Sequence, residues 1–412
     1  MSQSKTALNP KTIETVKATA PILETRGEEI TTHFYKRMFE RNPELLNVFN
    51  QTNQKKGRQP QALAHAVLAA AKNIDQLENI LPVVNQIAHK HRSLQIKPEQ
   101  YPIVGENLLA AIKEVLGDAA TDDVLSAWEE AYGVIADVFI SVEQKMYEET
   151  AQQSGGWDGF RAFTVDKKVP ESNVITSFYL RPADGGSLPY FEPGQYITVK
   201  TEIPGEEFLH LRQYSLSDAP DKDYFRISVK REEGSDSLPE GVVSNYLHRS
   251  VNEGDVLELT APAGDFYLQP ADRPVVLISG GVGLTPLMSM FNTLVEENRR
   301  PVTFIQAAQS SSHHAMHAPA AKAAGECDKV SYHVCYDVVT EEDNTDPYIQ
   351  KQGRIDKEWL ASLLPEKEAD YYFCGPLPFL QAINHMLKSD FNIPEERMHF
   401  EFFGPAADLE TN

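Results

Sequence analysis

The chain has 412 residues, 41% of them apolar and 24% charged, with a formal net charge of −22. That length suits about two to four domains, each able to bury a core of its own, and the composition is that of a globular protein. So large an acidic excess disfavours polyanionic nucleic acid and anionic membrane surfaces as partners.

Cys327, Cys335 and Cys374 are the three cysteines, and no CxxC pair occurs. Such sparse use fits a reducing compartment. Met1 to Lys11 lacks an apolar leader and no apolar run reaches membrane length, so a cytoplasmic protein without integral membrane association is expected.

Residues 1–150 read as helices. Asn9 caps the first, with Pro10 at its opening position. Ile13 and Val16 start an apolar face, and Gly27 is expected to separate this helix from the next. There Ile30, Phe34 and Met38 share a face, with Tyr35 at its edge. Asn42-Pro43 ends that helix. A short piece from Leu45 to Phe49 leads into the polar loop Asn50 to Arg58. Gln59-Pro60 then opens an alanine-rich helix carrying Leu63, Val67 and Ala70.

Val83, Ile87 and His91 follow at i, i+4 and i+8, so His91 continues an apolar stripe while His89 points elsewhere. Pro98 opens a helix with Tyr101, Val104, Leu108, Ile112 and Val115 in register. Thr121 caps the last helix, with Asp122 and Asp123 in its favourable first turn. Its stripe runs Trp128, Tyr132, Ile135, Phe139, Val142 and Met146, and Glu143 borders it. An imidazole facing apolar space is either a hydrogen-bonded core histidine or a ligand to a metal or haem iron. The segment itself leaves both open.

Gly155-Gly156-Trp157 breaks the helical pattern, and the period then becomes two. Strands are expected at Phe160–Val169, Val174–Leu180, Gln195–Lys200, Arg212–Leu216, Phe225–Lys230 and Val256–Leu259, which makes a small antiparallel barrel. Arg212-Gln213-Tyr214-Ser215 places a cation, an aromatic and a hydroxyl on one short strand. About 30 residues on, Gly241-Val242-Val243-Ser244-Asn245 opens a short helix. Backbone N–H groups at such a start can hold a pyrophosphate, and Arg212 can add a charge-assisted contact.

The final third alternates strands and helices. Pro274 to Ser279 is almost wholly apolar, as in a parallel sheet. Gly280, Gly281, Val282, Gly283, Leu284, Thr285 and Pro286 follow, then a helix from Leu287 to Leu294. Strand, glycine turn and helix form the layout of a dinucleotide cradle, although GxGxxG is not in register. Further strands at Val302–Ile305, Val330–Cys335, Tyr371–Cys374 and His399–Phe402 complete an α/β sheet. The expected organisation is therefore an all-α domain at 1–150, an antiparallel β-barrel at 155–268 and an α/β parallel-sheet domain at 273–412.

Taken in order, His33-Phe34-Tyr35, Phe49, Gln59, Leu63, His91, Tyr101 and Glu143 resemble the globin domain of bacterial flavohaemoglobins. The resemblance implies haem b bound through His91, with Tyr101 and Glu143 as partners of that histidine. It places Tyr35, Gln59 and Leu63 in the distal pocket and packs Phe49 on the haem. Lys90 either reaches a haem propionate or is a solvated lysine at a helix end.

The Arg212 and Gly241 motifs resemble the FAD domain of ferredoxin–NADP reductases, with Tyr214 covering the flavin and Tyr196 a further FAD contact. The loop Ser235 to Leu238 is longer than the usual form. Cys374-Gly375-Pro376 resembles the nicotinamide-side motif. Glu401-Phe402-Phe403-Gly404-Pro405 resembles the terminal motif whose aromatic, here Phe403, stacks on the flavin. Relatives often carry cysteine where Phe402 stands.

Nicotinamide gives two electrons as hydride, haem takes them singly, and FAD converts between the two. The resemblance implies a nitric oxide dioxygenase that turns nitric oxide and dioxygen into nitrate with electrons from NAD(P)H. A haem-based oxygen or nitric oxide sensor is the alternative, or a reductase of hydroperoxides or ferric chelates. Neither NADH nor NADPH is singled out, because Ser310 to His314 is polar without a clear arginine pair for a 2′-phosphate. A monomer is the expectation, with small molecules as its partners.

Overall fold

The computed structural model describes residues 8–49, 57–234, 239–365 and 368–404. Pro405, the loop Ser235 to Leu238 and most of the loop after Phe49 lie outside these residues. The chain divides into two compact units, Met1–Gln152 with Pro204–Leu211, and Gln153–Ile203 with Arg212–Asn412.

The first unit is helical. Its helices are α1 (Pro10–Ala18), α2 (Ala20–Arg41), α3 (Arg58–Lys72), α4 (Leu81–Ser93), α5 (Tyr101–Leu116) and α6 (Asp122–Gln152). The Asn9 side chain accepts from Lys11 N at 2.9 Å, as a cap should. The expected break at Gly27 does not occur. The chain breaks at Thr19, and Ala20–Arg41 is continuous. Gly27 instead marks a helix contact, since a Cβ there would sit 3.4 Å from Ala64 Cβ on α3. One turn on, Thr31 Oγ1 donates to Pro60 O at 2.8 Å and ties the same two helices.

On α4 the packed face and the stripe that ends at His91 are distinct. Val84 and Ala88 form the buried face of α4, whereas Val83 is 45% exposed. The stripe ending at His91 therefore does not join the core. It lies about 100° round the helix from the packed face, because successive residues turn by that angle. Glu143, expected at the border of its stripe, is buried at 3% exposure.

After the helices the chain forms two sheets. The first is antiparallel, with β1 (Arg161–Pro170), β2 (Ile175–Pro182), β3 (Tyr196–Thr201), β4 (His210–Ser215), β5 (Phe225–Lys230) and β6 (Val256–Leu259) in the order β4-β3-β6-β1-β2-β5. A short helix, α7 (Val242–Ser250), follows β5. Phe163, Val165, Phe178, Ile197, Ile227 and Leu247 fill the interior of this layer.

The second sheet is parallel. Its strands are β7 (Val275–Gly280), β8 (Val302–Ala308), β9 (Val330–Tyr336), β10 (Ile349–Gln352), β11 (Asp370–Cys374) and β12 (Met398–Glu401), ordered β10-β9-β8-β7-β11-β12. Helices α8 (Leu284–Glu297), α9 (His317–Glu326), α10 (Lys357–Leu363) and α11 (Leu377–His385) alternate with them. The chain runs outward from β7 through β10, then returns to β11 on the other side of β7. The ends of β7 and β11 thus form the switch point where such sheets bind ligands. Edge strand β10 escapes sequence reading because Gln350, Lys351 and Gln352 give four residues too little apolar character to stand out.

The start of β11 is anchored by a buried charge cluster. Asp370 is 1% exposed and receives Arg300 at 2.9 Å and Arg273 at 2.8 Å. Arg300 also donates to Arg273 O at 2.7 Å and Gln269 O at 3.0 Å. Removing one partner of a buried pair strands the other charge, so Asp370→Ala should destabilise the second unit by about 3–5 kcal/mol in denaturant unfolding. Lys322→Ala, which breaks only an exposed pair with Glu326, should cost less than about 1 kcal/mol in the same assay.

Candidate functional site

The helical unit brings His91, Tyr101 and Glu143 together from three helices. His91 lies in the last turn of α4, Tyr101 opens α5, and Glu143 projects from α6. His91 Nδ1 is 2.7 Å from Glu143 Oε1 and 3.2 Å from the Tyr101 hydroxyl. The Tyr101 hydroxyl donates to the same Glu143 oxygen at 2.6 Å. A carboxylate accepts only, so Nδ1 carries the proton and the Nε2 lone pair is left for another partner. Burial, and then the Glu143 charge, push the Tyr101 phenol well above its ordinary value. Tyr101 is held in turn by Tyr132, whose hydroxyl donates to Tyr101 O at 2.7 Å. Phe139, one turn before Glu143, lies 6.0 Å from the imidazole, centroid to centroid.

A second cluster gathers Tyr35, Phe39 and Phe49. Tyr35 and Phe39 stack at 5.8 Å, and Phe49 meets them edge-on at 5.8 and 5.2 Å. Burial raises the Tyr35 phenol, so its hydroxyl stays protonated at any physiological pH. That hydroxyl makes no hydrogen bond among the described residues. Leu63 packs half-buried against the same core, and Gln59 sits one turn earlier on α3. Lys90 is half-buried beside His91 and already engaged.

In the antiparallel layer, Arg212, Gln213, Tyr214 and Ser215 lie on β4 as expected. Burial pushes the Arg212 guanidinium down and the Tyr214 phenol up. Tyr196 is buried on β3. Gly241 precedes α7, and the start of that helix is pinned. Asn245 Nδ2 donates to Gly241 O and Glu232 O, each at 2.9 Å, while Ser244 Oγ donates to Gly241 O at 3.3 Å. Val243 is only 2% exposed, so its side chain belongs to the core of this layer.

In the parallel layer, the turn after β7 lies against the end of β11. Ser279 pairs with Cys374. A Cβ on Gly283 would come within 2.3 Å of Cys374 O and 2.6 Å of Gly375 N, so only glycine permits this approach. Gly281 takes φ +54°, a left-handed turn suited to glycine. Helix α8 begins at Leu284, earlier than expected, and Leu284, Thr285 and Pro286 are buried in its first turn. Val282 O accepts from Thr285 Oγ1 at 3.1 Å. Pro376 caps α11. Glu401 ends β12, Phe402 packs half-buried on the core, and Phe403 is 44% exposed, with Gly404 after it. The departure at Phe402 is thus filled by packing, and Phe403 is the aromatic left open.

Sequence reading missed one buried network on β8 and β9, across β7 from β11 and β12. His314 Nδ1 is 2.7 Å from the Tyr336 hydroxyl, and Tyr332 donates to Gln306 Oε1 at 2.5 Å. Burial pushes His314 down to about 3, so it is neutral. The run Ser310 to His314 read as uniformly polar, and only packing separates buried His314 from its exposed neighbours.

Haem suits the first cluster. A neutral imidazole with Nδ1 bound to a carboxylate presents Nε2, the donor that haem iron takes, and the open stripe through Val83 and Ile87 offers apolar surface beside it. Residues 32–139 match the globin family, 163–267 the oxidoreductase FAD-binding domain family and 277–385 the oxidoreductase NAD-binding domain family. Fold and site therefore define a globin joined in one chain to an FAD- and NAD-binding oxidoreductase.

The flavohemoprotein of Halalkalibacterium halodurans is 62% identical over 411 residues, covering 99% of this chain and 100% of that one. The flavohemoprotein of Bacillus subtilis is 52% identical over 404 residues, covering 98% of this chain and 99% of its own. A crystal structure of flavohemoglobin from Malassezia yamatoensis with bound FAD and heme superposes with TM-score 0.81 at 28% identity, covering 97% of this chain and 100% of that one. The chain belongs to the flavohaemoprotein family, and its cofactors are haem, FAD and a nicotinamide nucleotide.

The thiols give a direct check on this packing. Burial pushes Cys335 up to about 12 and Cys374 well above its ordinary value, whereas Cys327 is half-buried. At pH 8 a disulfide reagent should titrate about one thiol per folded chain and all three after denaturation. Rapid titration of all three in the folded protein would contradict the burial of Cys374.

Proposed function

We propose that the protein is an NAD(P)H-dependent nitric oxide dioxygenase, converting nitric oxide and dioxygen to nitrate in nitric oxide detoxification. The carrying observation is Glu143, a buried carboxylate that receives both the His91 Nδ1 proton and the Tyr101 hydroxyl. A solved FAD/NAD-binding domain of a nitric oxide dioxygenase from Vibrio cholerae, with TM-score 0.53 and 38% identity over 60% of this chain, supports the reading.

In this proposal His91 is the haem ligand within a globin domain at 1–150. Haem, when bound, supplies dioxygen binding and one-electron chemistry, and FAD links it to a two-electron donor. Glu143 holds the Nδ1 proton and gives the imidazole imidazolate character, which favours oxygen activation. Tyr101 fixes the carboxylate by donating to it. Tyr35, whose hydroxyl stays protonated, donates to dioxygen, Gln59 helps to orient it, and Phe49 and Leu63 wall the pocket. Lys90 neutralises a haem carboxylate.

The FAD domain spans 155–268. There Arg212 and the α7 start hold the pyrophosphate, and Tyr196, Tyr214 and Phe403 frame the flavin. Gln213, Ser215, Val243 and Ser244 complete the contact set. The NAD(P) domain spans 273–412, with the turn Gly281–Pro286 and Cys374–Pro376 facing the nucleotide, and Glu401 and Phe402 supporting Phe403. Three free cysteines support a cytoplasmic location.

The test separates the two halves of the chain. His91→Ala should abolish nitric oxide consumption and histidine-type ferrous spectra, yet leave NAD(P)H oxidation with ferricyanide nearly intact, and His89→Ala should match the parent. Wild-type nitric oxide turnover in His91→Ala would end the assignment.

Tyr35→Phe removes one hydrogen bond worth roughly 0.5–1.5 kcal/mol, so dioxygen release should quicken about two- to tenfold, with flavin reduction unaffected. Flash photolysis reads this, and an unchanged release rate would leave Tyr35 a packing residue.

A further inference from the structure

Two loops of the antiparallel layer grip α8, the helix that follows the glycine turn. The first precedes β3. A Cβ on Gly194 would lie 2.6 Å from Met290 Cε on α8, two residues before Tyr196. The second follows β4, where Asp218 stands three residues beyond Ser215.

The Asp218 side chain is only 13% exposed. Its Oδ1 accepts from Asn292 Nδ2 of α8 at 2.7 Å, and its backbone O accepts from Ser289 Oγ of α8 at 2.7 Å. Its Oδ2 accepts from the Tyr224 hydroxyl at 3.0 Å and faces Arg226 Nη1 at 3.3 Å. Arg226 in turn donates from Nε to Ser217 Oγ at 3.2 Å and reaches Met316 Sδ, before α9, at 4.0 Å. The carboxylate, three residues past β4, thus joins donors at the start of β5 to a donor from the nucleotide helix. Among the described residues Lys222, before β5, also pairs with Glu296 of α8 at 2.7 Å.

We propose that Asp218 is a positioning residue for hydride transfer, clamping the nucleotide helix to the flavin strand. The proposal rests on the reductase reading above. Asp218 acts through α8 and the turn at Gly281–Gly283, and has no part in the chemistry. A buried carboxylate suits the task. It takes several donors in fixed directions, and each such bond is stronger than a neutral one. Hydride transfer is sensitive to small displacements, so a slack clamp lowers the rate more than it lowers binding.

The experiment uses the full holoenzyme and follows flavin bleaching by saturating NADH in stopped flow. Long-wavelength charge-transfer absorbance, KM, FAD occupancy and Tm are read beside it. Asp218→Ala and Asn292→Asp should slow hydride transfer about ten- to a hundredfold and weaken the charge-transfer band. KM and FAD occupancy should change less than about twofold, since the cofactor contacts remain. Asn292→Asp sets two carboxylates face to face. The exchange Asp218→Asn with Asn292→Asp restores a donor–acceptor pair, so it should recover most of the rate lost in Asn292→Asp, as coupled neighbours do. Lys222→Ala should match the parent.

Parent-like hydride transfer in Asp218→Ala would overturn the proposal. So would a rate loss that follows FAD loss and lowered Tm with no recovery in the exchange, which is the pattern of a purely structural role. A parent protein that holds FAD but is bleached by neither NADH nor NADPH would remove the reductase reading itself, before any variant is made.

Discussion

Glu143 sits inside the helical unit with two hydrogen-bond donors on one oxygen, from Tyr101 and from His91. An ionised carboxylate buried without such donors would cost several kcal/mol. The donors therefore hold the charge in place, and the charge holds the donors. It dictates which imidazole nitrogen carries the proton and leaves the other to act as a ligand. Tyr132 supports Tyr101 from α6, the helix that also carries Glu143. One long helix thus supplies both the acceptor and the brace for its neighbour.

The second unit works by close approach. At the switch point of the parallel sheet, the turn after β7 lies against Cys374 and Gly375 so tightly that Gly283 has no room for a methyl group. The turn leads directly into α8, the strand–turn–helix order that dinucleotide cradles use. The same helix is gripped from the other side by the loops at Gly194 and Asp218. The antiparallel layer and the nucleotide turn are therefore coupled through one helix, and their cores merge where Ile175 and Phe266 join the cluster around Leu287 and Phe291.

Much of this was legible in the order of residues. Periods of 3.6 and 2 marked the helical third and the strands after residue 155, because each period places apolar groups on one face. The apolar run Val275 to Ser279 marked a strand covered on both sides. Errors fell where contact rather than period decides. Gly27 read as a break, yet it is a helix crossing against Ala64. Edge strand β10 has too few apolar residues to signal itself.

The sequence by itself determined the three-part layout, the motifs Arg212–Ser215 and Gly281–Pro286, and His91 as the histidine to watch. These are local properties, set by spacing along the chain. Only the tertiary structure decided that Glu143 is buried with its partners, that Cys374 is buried against the glycine turn, and that Asp218 hydrogen-bonds to α8. Each of those depends on groups tens of residues apart meeting within hydrogen-bond or van der Waals range, and a distance of that kind is written in the packing, not in the order of the residues.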